Sequence, residues 1–362
     1  MVLSYEQDMA VKAKEPKVVV VAAAGSGKST VLTSRIRHLL SIGEEPSQIY
    51  AITFTNNAAQ EMRDRLADLQ GVEDVFIGTI HSLANRILIK NGVKTADAIE
   101  SQDFNRLFYL IKNSEVMLPP VHHLLIDEFQ DISKEFYEFY FYDLRPDNFF
   151  AVGDGRQAIY SFSGGSLEWM NKTIDGYGTK VYELNDCYRC PQNVLNFANK
   201  FISGDPDVYF TDTISMVEDQ GTILTKPYSE ENLVKNIKMV GDFKNWFVLC
   251  RTNQQVSDTL DLLCDEGIPT ETFKKADNSL EDLAKKMNND TVKVLTIHSA
   301  KGLEAEHVAV IGARNFNAEE KRLCYVAATR AKRDLIWYKS YRGLRAKTSV
   351  YDDSRLAFGN IK

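Results

Sequence analysis

The chain has 362 residues, 44% of them hydrophobic and 26% charged, the mix of a globular protein with room for two domains. The formal net charge of −7 excludes a simple cationic protein that coats nucleic acid, but not one that grips bases by stacking. No apolar run reaches the roughly 18 residues of a membrane span, and Met1 to Asp8 lacks a basic and an apolar signal region, so a cytoplasmic location without membrane contact is expected.

In chain order, Lys17–Ala22 (KVVVVA) is a β-branched run predicted as a buried parallel strand. Ser29–Leu40 follows with apolar residues at helical spacing. Ile49–Thr53 is a second strand and Ala58–Leu69 a second helix. Leu124–Ile126 runs into acidic residues, and Phe149–Val152 into Gly153-Asp154-Gly155. The alternation restarts with strand Trp246–Cys250, helix Val256–Glu266, strands Val292–Ile297 and Val308–Ile311, helix Glu319–Ala331 and strand Leu335–Tyr338. Strand–loop–helix units in this order predict an α/β fold with two lobes, each a mostly parallel sheet flanked by helices. The boundaries expected are residues 1–182 and 183–342, with a tail at 343–362 of little periodicity. Lys274 to Asp290 is polar, a short helix or linker.

Between the first strand and first helix lies Ala22-Ala23-Ala24-Gly25-Ser26-Gly27-Lys28-Ser29-Thr30. A strand, a glycine turn and a helix N-terminus together make a phosphate cradle. Gly25 and Gly27 free the backbone N–H groups, Lys28 supplies a charge for the β- and γ-phosphates, and Ser29 a hydroxyl for Mg²⁺. Only the first position, Ala22, departs from the strict pattern. Asp127-Glu128 closes a later apolar strand. Asp127 suits the Mg²⁺ role and Glu128 that of the base for the attacking water. Taken alone, an Asp-Glu pair is more often a solvated loop. Cys187 and Cys190 form one CxxC with no second ligand pair, and packing is their expected role. His122-His123 reads as a surface or strand-end pair rather than a ligand.

The assembled motifs resemble the UvrD/Rep/PcrA group of superfamily-1 DNA helicases, from about Leu3 to Leu335. The resemblance implies two RecA-like lobes with ATP and Mg²⁺ at their interface. It places Gln7 on the adenine edge and Ala24 to Thr30 on the phosphates, and adds Arg35, Gly302 and Glu304 to the nucleotide set. Tyr188 would stack on adenine. Gln157 would sense the γ-phosphate, and Arg189 and Arg330 would reach it as arginine fingers from the second lobe. Phe54, Thr55, Asn56, Thr79, His81, Tyr160, Phe162, Thr296 and His298 would contact single-stranded DNA. The implied activity is 3′→5′ translocation, hydrolysis opening the lobes and moving bases between aromatic stacks.

Several positions depart from that family. Thr30, Asn57 and Ser163 stand where relatives often carry cationic residues, and Asp154-Gly155-Arg156 replaces a more acidic run. The stretches between His81 and Asp127 and between Phe273 and Val292 are short, which leaves only a reduced helical insertion at about residues 88–121. Such trimming implies a near-minimal motor that needs a protein partner to unwind, of a phage or defence type. The alternative reading is a nucleotide-gated regulatory subunit of a defence complex. RNA in place of DNA is a third reading, because stacking platforms discriminate weakly.

Overall fold

The computed structural model describes residues 2–101, 103–209, 212–273 and 279–339. The expected tail at 343–362 and the first part of the Lys274 to Asp290 stretch lie outside these. By contacts the chain divides into one unit of residues 1–189 and 202–217 and a second of residues 190–201 and 218–362.

The first unit is built on strands β1 Lys17–Ala22, β2 Ile49–Thr53, β3 Phe76–Thr79, β4 His123–Ile126, β5 Asn148–Gly153 and β6 Thr179–Leu184. They form one sheet in the order β3-β2-β4-β5-β1-β6, every pair parallel. Helices α1 Tyr5–Val11, α2 Lys28–Ser41, α3 Asn56–Leu66, α4 Ile80–Lys90, α5 Ala96–Glu100, α6 Asn105–Asn113, α7 Lys134–Glu138 and α8 Leu167–Ile174 accompany it. A two-residue pair, β7 Asp186–Cys187 with β8 Ile214–Ser215, closes the unit.

Strand residues point alternately to the two faces. Val18 and Val20 join Leu125, Phe150 and Val152 under α2 and α3, with Val31, Leu32, Ile36, Ala59 and Met62. Val19 and Val21 join Leu124, Ile126 and Phe149 under α4 and α6, with Leu83, Ile87, Leu107 and Phe108. Both faces are covered, so β1 reads as a continuous apolar run rather than an alternating one.

In the second unit α9 Gln192–Ile202 is followed by β9 Thr222–Lys226, α10 Glu230–Val240, β10 Trp246–Cys250, α11 Asn253–Asp265, β11 Thr270–Glu271, α12 Leu280–Asn288, β12 Val292–Thr296, β13 Ala305–Ile311, α13 Ala318–Ala328 and β14 Ala331–Tyr338. Its six strands run β11-β12-β10-β13-β14-β9, again all parallel. Trp246, Val248, Val294, Ala309 and Ile336 form its core with Leu233, Ile237, Val256 and Leu263 of the helices.

The α/β class and the two parallel sheets agree with the expectation from sequence. Two details differ. The boundary drawn at 182 falls inside β6, and the first unit runs on through Arg189. The helix expected to reach Ala331 stops at Ala328, because Thr329 Oγ1 turns back to the carbonyls of Tyr325 and Val326. The stretch at about 88–121, where a reduced insertion was expected, holds the short helices α5 and α6, and α6 buries Leu107, Phe108 and Ile111.

Candidate nucleotide site and its surroundings

A parallel sheet places the C-terminal ends of its strands on one edge, and the loops that leave them form the site. β1 delivers the loop Ala23 to Gly27, β4 delivers Asp127 and Glu128, and β5 delivers Asp154. Gly25 and Gly27 have φ of 74° and 85°, the left-handed region that favours glycine. A Cβ on Gly25 would sit 2.6 Å from the Arg189 Cβ, and one on Gly27 would sit 2.7 Å from Gln7 Nε2. Glycine is therefore needed twice over, for the turn and for the close approach. Gly27 also begins α2 without any side-chain cap, whereas Ser4, Thr55 and Thr79 cap α1, α3 and α4 by accepting backbone N–H bonds. The first N–H groups of α2 are thus left for an anion.

Gln7 holds this loop in place. Its Nε2 donates to the Ser26 carbonyl at 2.9 Å, and its Oε1 accepts from the Ser4 N–H at 3.0 Å. Ser26 Oγ donates to the Ala23 carbonyl. Lys28 reaches back to the Ala22 carbonyl at 3.4 Å. Burial lowers the pKa of Lys28 and nearby Arg189 adds to this, while Asp154, Glu128 and Asp127 pull it up. The lysine thus sits among three carboxylates and one guanidinium.

Ser29 and Asp127 line one small cavity of about 30 Å³ with Thr33, Ala58, Glu61, Met62 and Arg65. A hydroxyl and a carboxylate facing the same space suit Mg²⁺, a hard cation that takes oxygen ligands and keeps several waters. Glu128 has φ 50° and ψ 44°, an unusual backbone for a residue with a side chain. Its N–H donates to Asp127 Oδ1, and its Oε2 accepts from Gln130 Nε2 at 2.5 Å. Gln130 Oε1 in turn accepts the Asp154 N–H at 2.9 Å. Asp154 Oδ2 accepts from Gln157 Nε2 at 2.7 Å, and Oδ1 accepts from Arg156 Nε at 2.8 Å.

A chain of polar groups therefore runs from Glu128 through Gln130 and Asp154 to Gln157. Gln130 and Asp154 are both buried; neither was expected as a site residue, although Asp154 lies in the run that carries Gln157. The signal for them was present: each is a polar residue set directly against a strand end that the chain must bury.

Burial alone would raise the pKa of Asp154, but Arg156 and Lys28 outweigh it and hold this carboxyl below its ordinary range. A carboxyl with a depressed folded-state pKa stabilises the fold above its unfolded value of about 3.9, and that contribution is lost as pH falls through the lower folded value. Asp154→Asn, which takes a carboxylate from the buried Arg156, is expected to destabilise the chain by roughly 3 kcal/mol at neutral pH. In thermal melts the gap between wild type and variant should shrink below about pH 4. A gap that does not change with pH would remove the charge argument.

Arg189, expected on the second lobe, belongs to the first unit. It lies against Gly25, and the Tyr188 N–H donates to the Gly25 carbonyl at 2.9 Å. Tyr188 is 50% exposed. Arg35, expected at the nucleotide, instead donates to the Val11 and Ala13 carbonyls at 2.7 Å each and lies over the Phe150 ring. It anchors the end of α1. Thr30 sits in the first turn of α2.

The residues expected at DNA divide in two. Phe54 and Tyr160 stack at 5.2 Å between ring centroids, and Tyr160 meets Phe162 edge-on at 5.8 Å. Phe54 is 40% and Phe162 72% exposed, so the loops after β2 and β5 present an aromatic platform to solvent. Asn56 is exposed beside it. Thr55 and Thr79 use their hydroxyls as helix caps. His81 packs among Phe104, Phe108 and Phe136, and burial lowers its pKa.

In the second unit, Thr296 Oγ1 donates to Ser299 Oγ and accepts the Ser299 N–H, ordering the turn that carries His298. Gly302 has φ 80° and precedes the half-buried Glu304. Arg330 is buried, donating from Nε to the Val326 carbonyl and from Nη1 to the Leu303 carbonyl. Cys187 lies against Gly25, and Cys190 Sγ meets the Thr329 carbonyl at 3.4 Å. Both are buried thiols outside any disulfide, consistent with packing.

Among the described residues no helix is long and apolar enough to cross a membrane.

Residues 3–118 and 115–177 match the family described as UvrD/REP helicase N-terminal domain. Residues 274–341 match the UvrD-like helicase C-terminal domain. A probable DNA helicase of Mycoplasma pneumoniae is 27% identical over 92% of this chain and 82% of its own length. The Gabija protein GajB of Bacillus cereus is 26% identical over 84% of this chain and 71% of its own length. DNA helicase II of Escherichia coli is 26% identical over 56% of this chain and 40% of its own length.

Proposed function

Since the chain belongs to the UvrD-like helicase family, we propose that it hydrolyses ATP to translocate 3′→5′ along single-stranded DNA. The observation that carries this is the convergence, at one edge of the first sheet, of the glycine cradle, Lys28, the Asp127–Glu128 pair and the Gln130–Asp154–Gln157 chain. In this reading the α2 N–H groups and Lys28 bind the phosphates, while Ser29 and Asp127 hold Mg²⁺. When bound, Mg²⁺ would neutralise charge on the β- and γ-phosphates. Glu128 takes the proton of the attacking water, and Gln157 reports the γ-phosphate through Asp154. Arg189 and Arg330 are the candidate arginines for the transition-state charge, one in each unit.

The aromatic platform supports the DNA part of the reading. Phe54 and Phe162 are large rings left in solvent beside loops that leave the same sheet edge as the phosphate site. Base stacking contributes about 1–3 kcal/mol per base. Phe54→Ala is therefore expected to weaken binding to an oligothymidine about 10-fold in a fluorescence-anisotropy titration. An unchanged affinity would take the platform out of the DNA site. Strand displacement on 3′- and 5′-tailed duplexes tests polarity: unwinding of the 3′-tailed duplex alone is expected, and a 5′ preference would reverse the assignment.

A second reading has ATP gate a protein partner, with little unwinding by the chain itself. The shortness of the segment between α4 and β4 favours it, and the likeness to the Gabija protein GajB favours a role in defence for it. Slow turnover that DNA leaves unchanged would select this reading over the first.

A further inference from the structure

The N-terminal edge of the first sheet carries a second cluster of polar side chains, remote from the phosphate loop. Glu44 follows the turn at Gly43, φ 88°, that ends α2. His122 precedes β4 and His123 begins it, and the strand's other end delivers Asp127. Four residues of strand span about 13 Å, so the cluster is well apart from the catalytic acids.

Both imidazoles face one carboxylate oxygen. His123 Nε2 is 3.1 Å and His122 Nε2 3.5 Å from Glu44 Oε2, and the three potential ligand atoms all lie within 4.8 Å of one another. The rings meet edge to face at 4.6 Å.

His122 Nδ1 lies 2.8 Å from Asp147 Oδ2. A carboxylate at Nδ1 is the usual arrangement behind a histidine that binds metal through Nε2, and a neutral ring donating from Nδ1 would keep its Nε2 lone pair for the ion. The backbone holds the frame, since His122 N–H donates to the Gln48 carbonyl and the Asn148 N–H to the His122 carbonyl. His123 Nε2 is buried, with Glu44 Oε2 beside it at 3.1 Å. Arg35 is the nearby cation: its Nη1 donates to the Val11 and Ala13 carbonyls, while its charge also acts on Glu44 and His123.

We propose that Glu44, His122 and His123 bind a divalent cation of the zinc class, with Asp147 orienting His122. Two imidazole nitrogens and one carboxylate oxygen are the donors that Zn²⁺, Co²⁺ and Ni²⁺ take, whereas Mg²⁺ prefers oxygen alone. Around a tetrahedral ion with bonds of about 2.0–2.2 Å, neighbouring ligand atoms lie about 3.3–3.6 Å apart. The two Nε2-to-Oε2 distances lie at or just below that range. His122 and Glu44 remain partly open to solvent, which leaves a route for the ion and a fourth position for water. The cation would clip the turn after α2 to the head of β4. Since α2 spans about 21 Å, the clip would act on the far end of the helix whose N-terminus cradles phosphate.

The test uses the full chain without an affinity tag, stripped with a chelator and dialysed against Zn²⁺ or Co²⁺ with no nucleotide present. The expected result is one bound ion per chain by elemental analysis, a visible Co²⁺ absorption band and a raised melting temperature. His122→Ala and Glu44→Ala, both at partly exposed positions, should lose the ion and the melting shift. Asp147→Asn should weaken binding about 10-fold, and Lys28→Ala should retain it. No saturable uptake by the wild type, or uptake unchanged in His122→Ala and Glu44→Ala, would overturn the proposal.

Discussion

Glu128→Gln is expected to lower the ATP turnover number by about 10²–10⁴-fold, the usual contribution of a positioned general base. Nucleotide affinity should change little. The substitution keeps the volume and one acceptor oxygen, so Gln130 can still donate to position 128 while its own oxygen holds the Asp154 N–H. The left-handed backbone at Glu128 fixes where the side chain leaves the strand end, and its N–H donates to Asp127, the carboxylate proposed for Mg²⁺. On the proposed mechanism, what is lost is the group that accepts the proton from water. Single-turnover hydrolysis, measured beside equilibrium binding of a fluorescent ATP analogue, separates the two effects. Hydrolysis within about 10-fold of wild type would mean that the base lies elsewhere.

Lys28→Ala is expected to cost about 10²–10³-fold in turnover, the loss that follows removal of one preorganised charge-stabilising donor. It should also weaken nucleotide binding. Lys28 sits where Asp154, Glu128 and Asp127 oppose the effect of burial, so removing it leaves three carboxylates facing the phosphates with one fewer cation. The repulsion acts on bound ATP and on the transition state together, so both affinity and turnover fall. Lys28→Arg, which keeps the charge but not the compact ammonium, should recover binding more than turnover. A variant that hydrolyses at the wild-type rate would remove the glycine loop from the nucleotide site.

The α/β class was readable because β1 and β10 are uninterrupted apolar runs, which only a sheet covered on both faces requires. The glycine turn between β1 and α2 was readable because Gly25, Gly27, Lys28 and Ser29 sit between a strand and a helix, and Gly25 and Gly27 do take the left-handed backbone. Other features were hidden because they depend on contacts distant in sequence. Arg35 carries the same charge whether it meets phosphate or the Val11 and Ala13 carbonyls, and only the fold shows the latter. Arg189 is remote from the phosphate loop along the chain, yet its Cβ would stand 2.6 Å from one added to Gly25.

Polar relays were similarly masked. Gln130 looks like an ordinary loop residue until Asp154 is brought beside it from β5. Strands β3 and β6 are short or half-exposed, and their burial patterns lack the continuous apolar run that marks the central strands. His122 and His123 read as a strand-end pair because Glu44, far earlier in the chain, supplies their meeting point.

The most direct test of the motor reading is steady-state ATP hydrolysis by the full chain, with and without single-stranded DNA, beside Lys28→Ala under the same conditions. A DNA-driven motor should turn over slowly alone, rise strongly with DNA and fall almost to nothing in the variant. A rate that DNA leaves flat, or that survives the loss of Lys28, would contradict the motor reading.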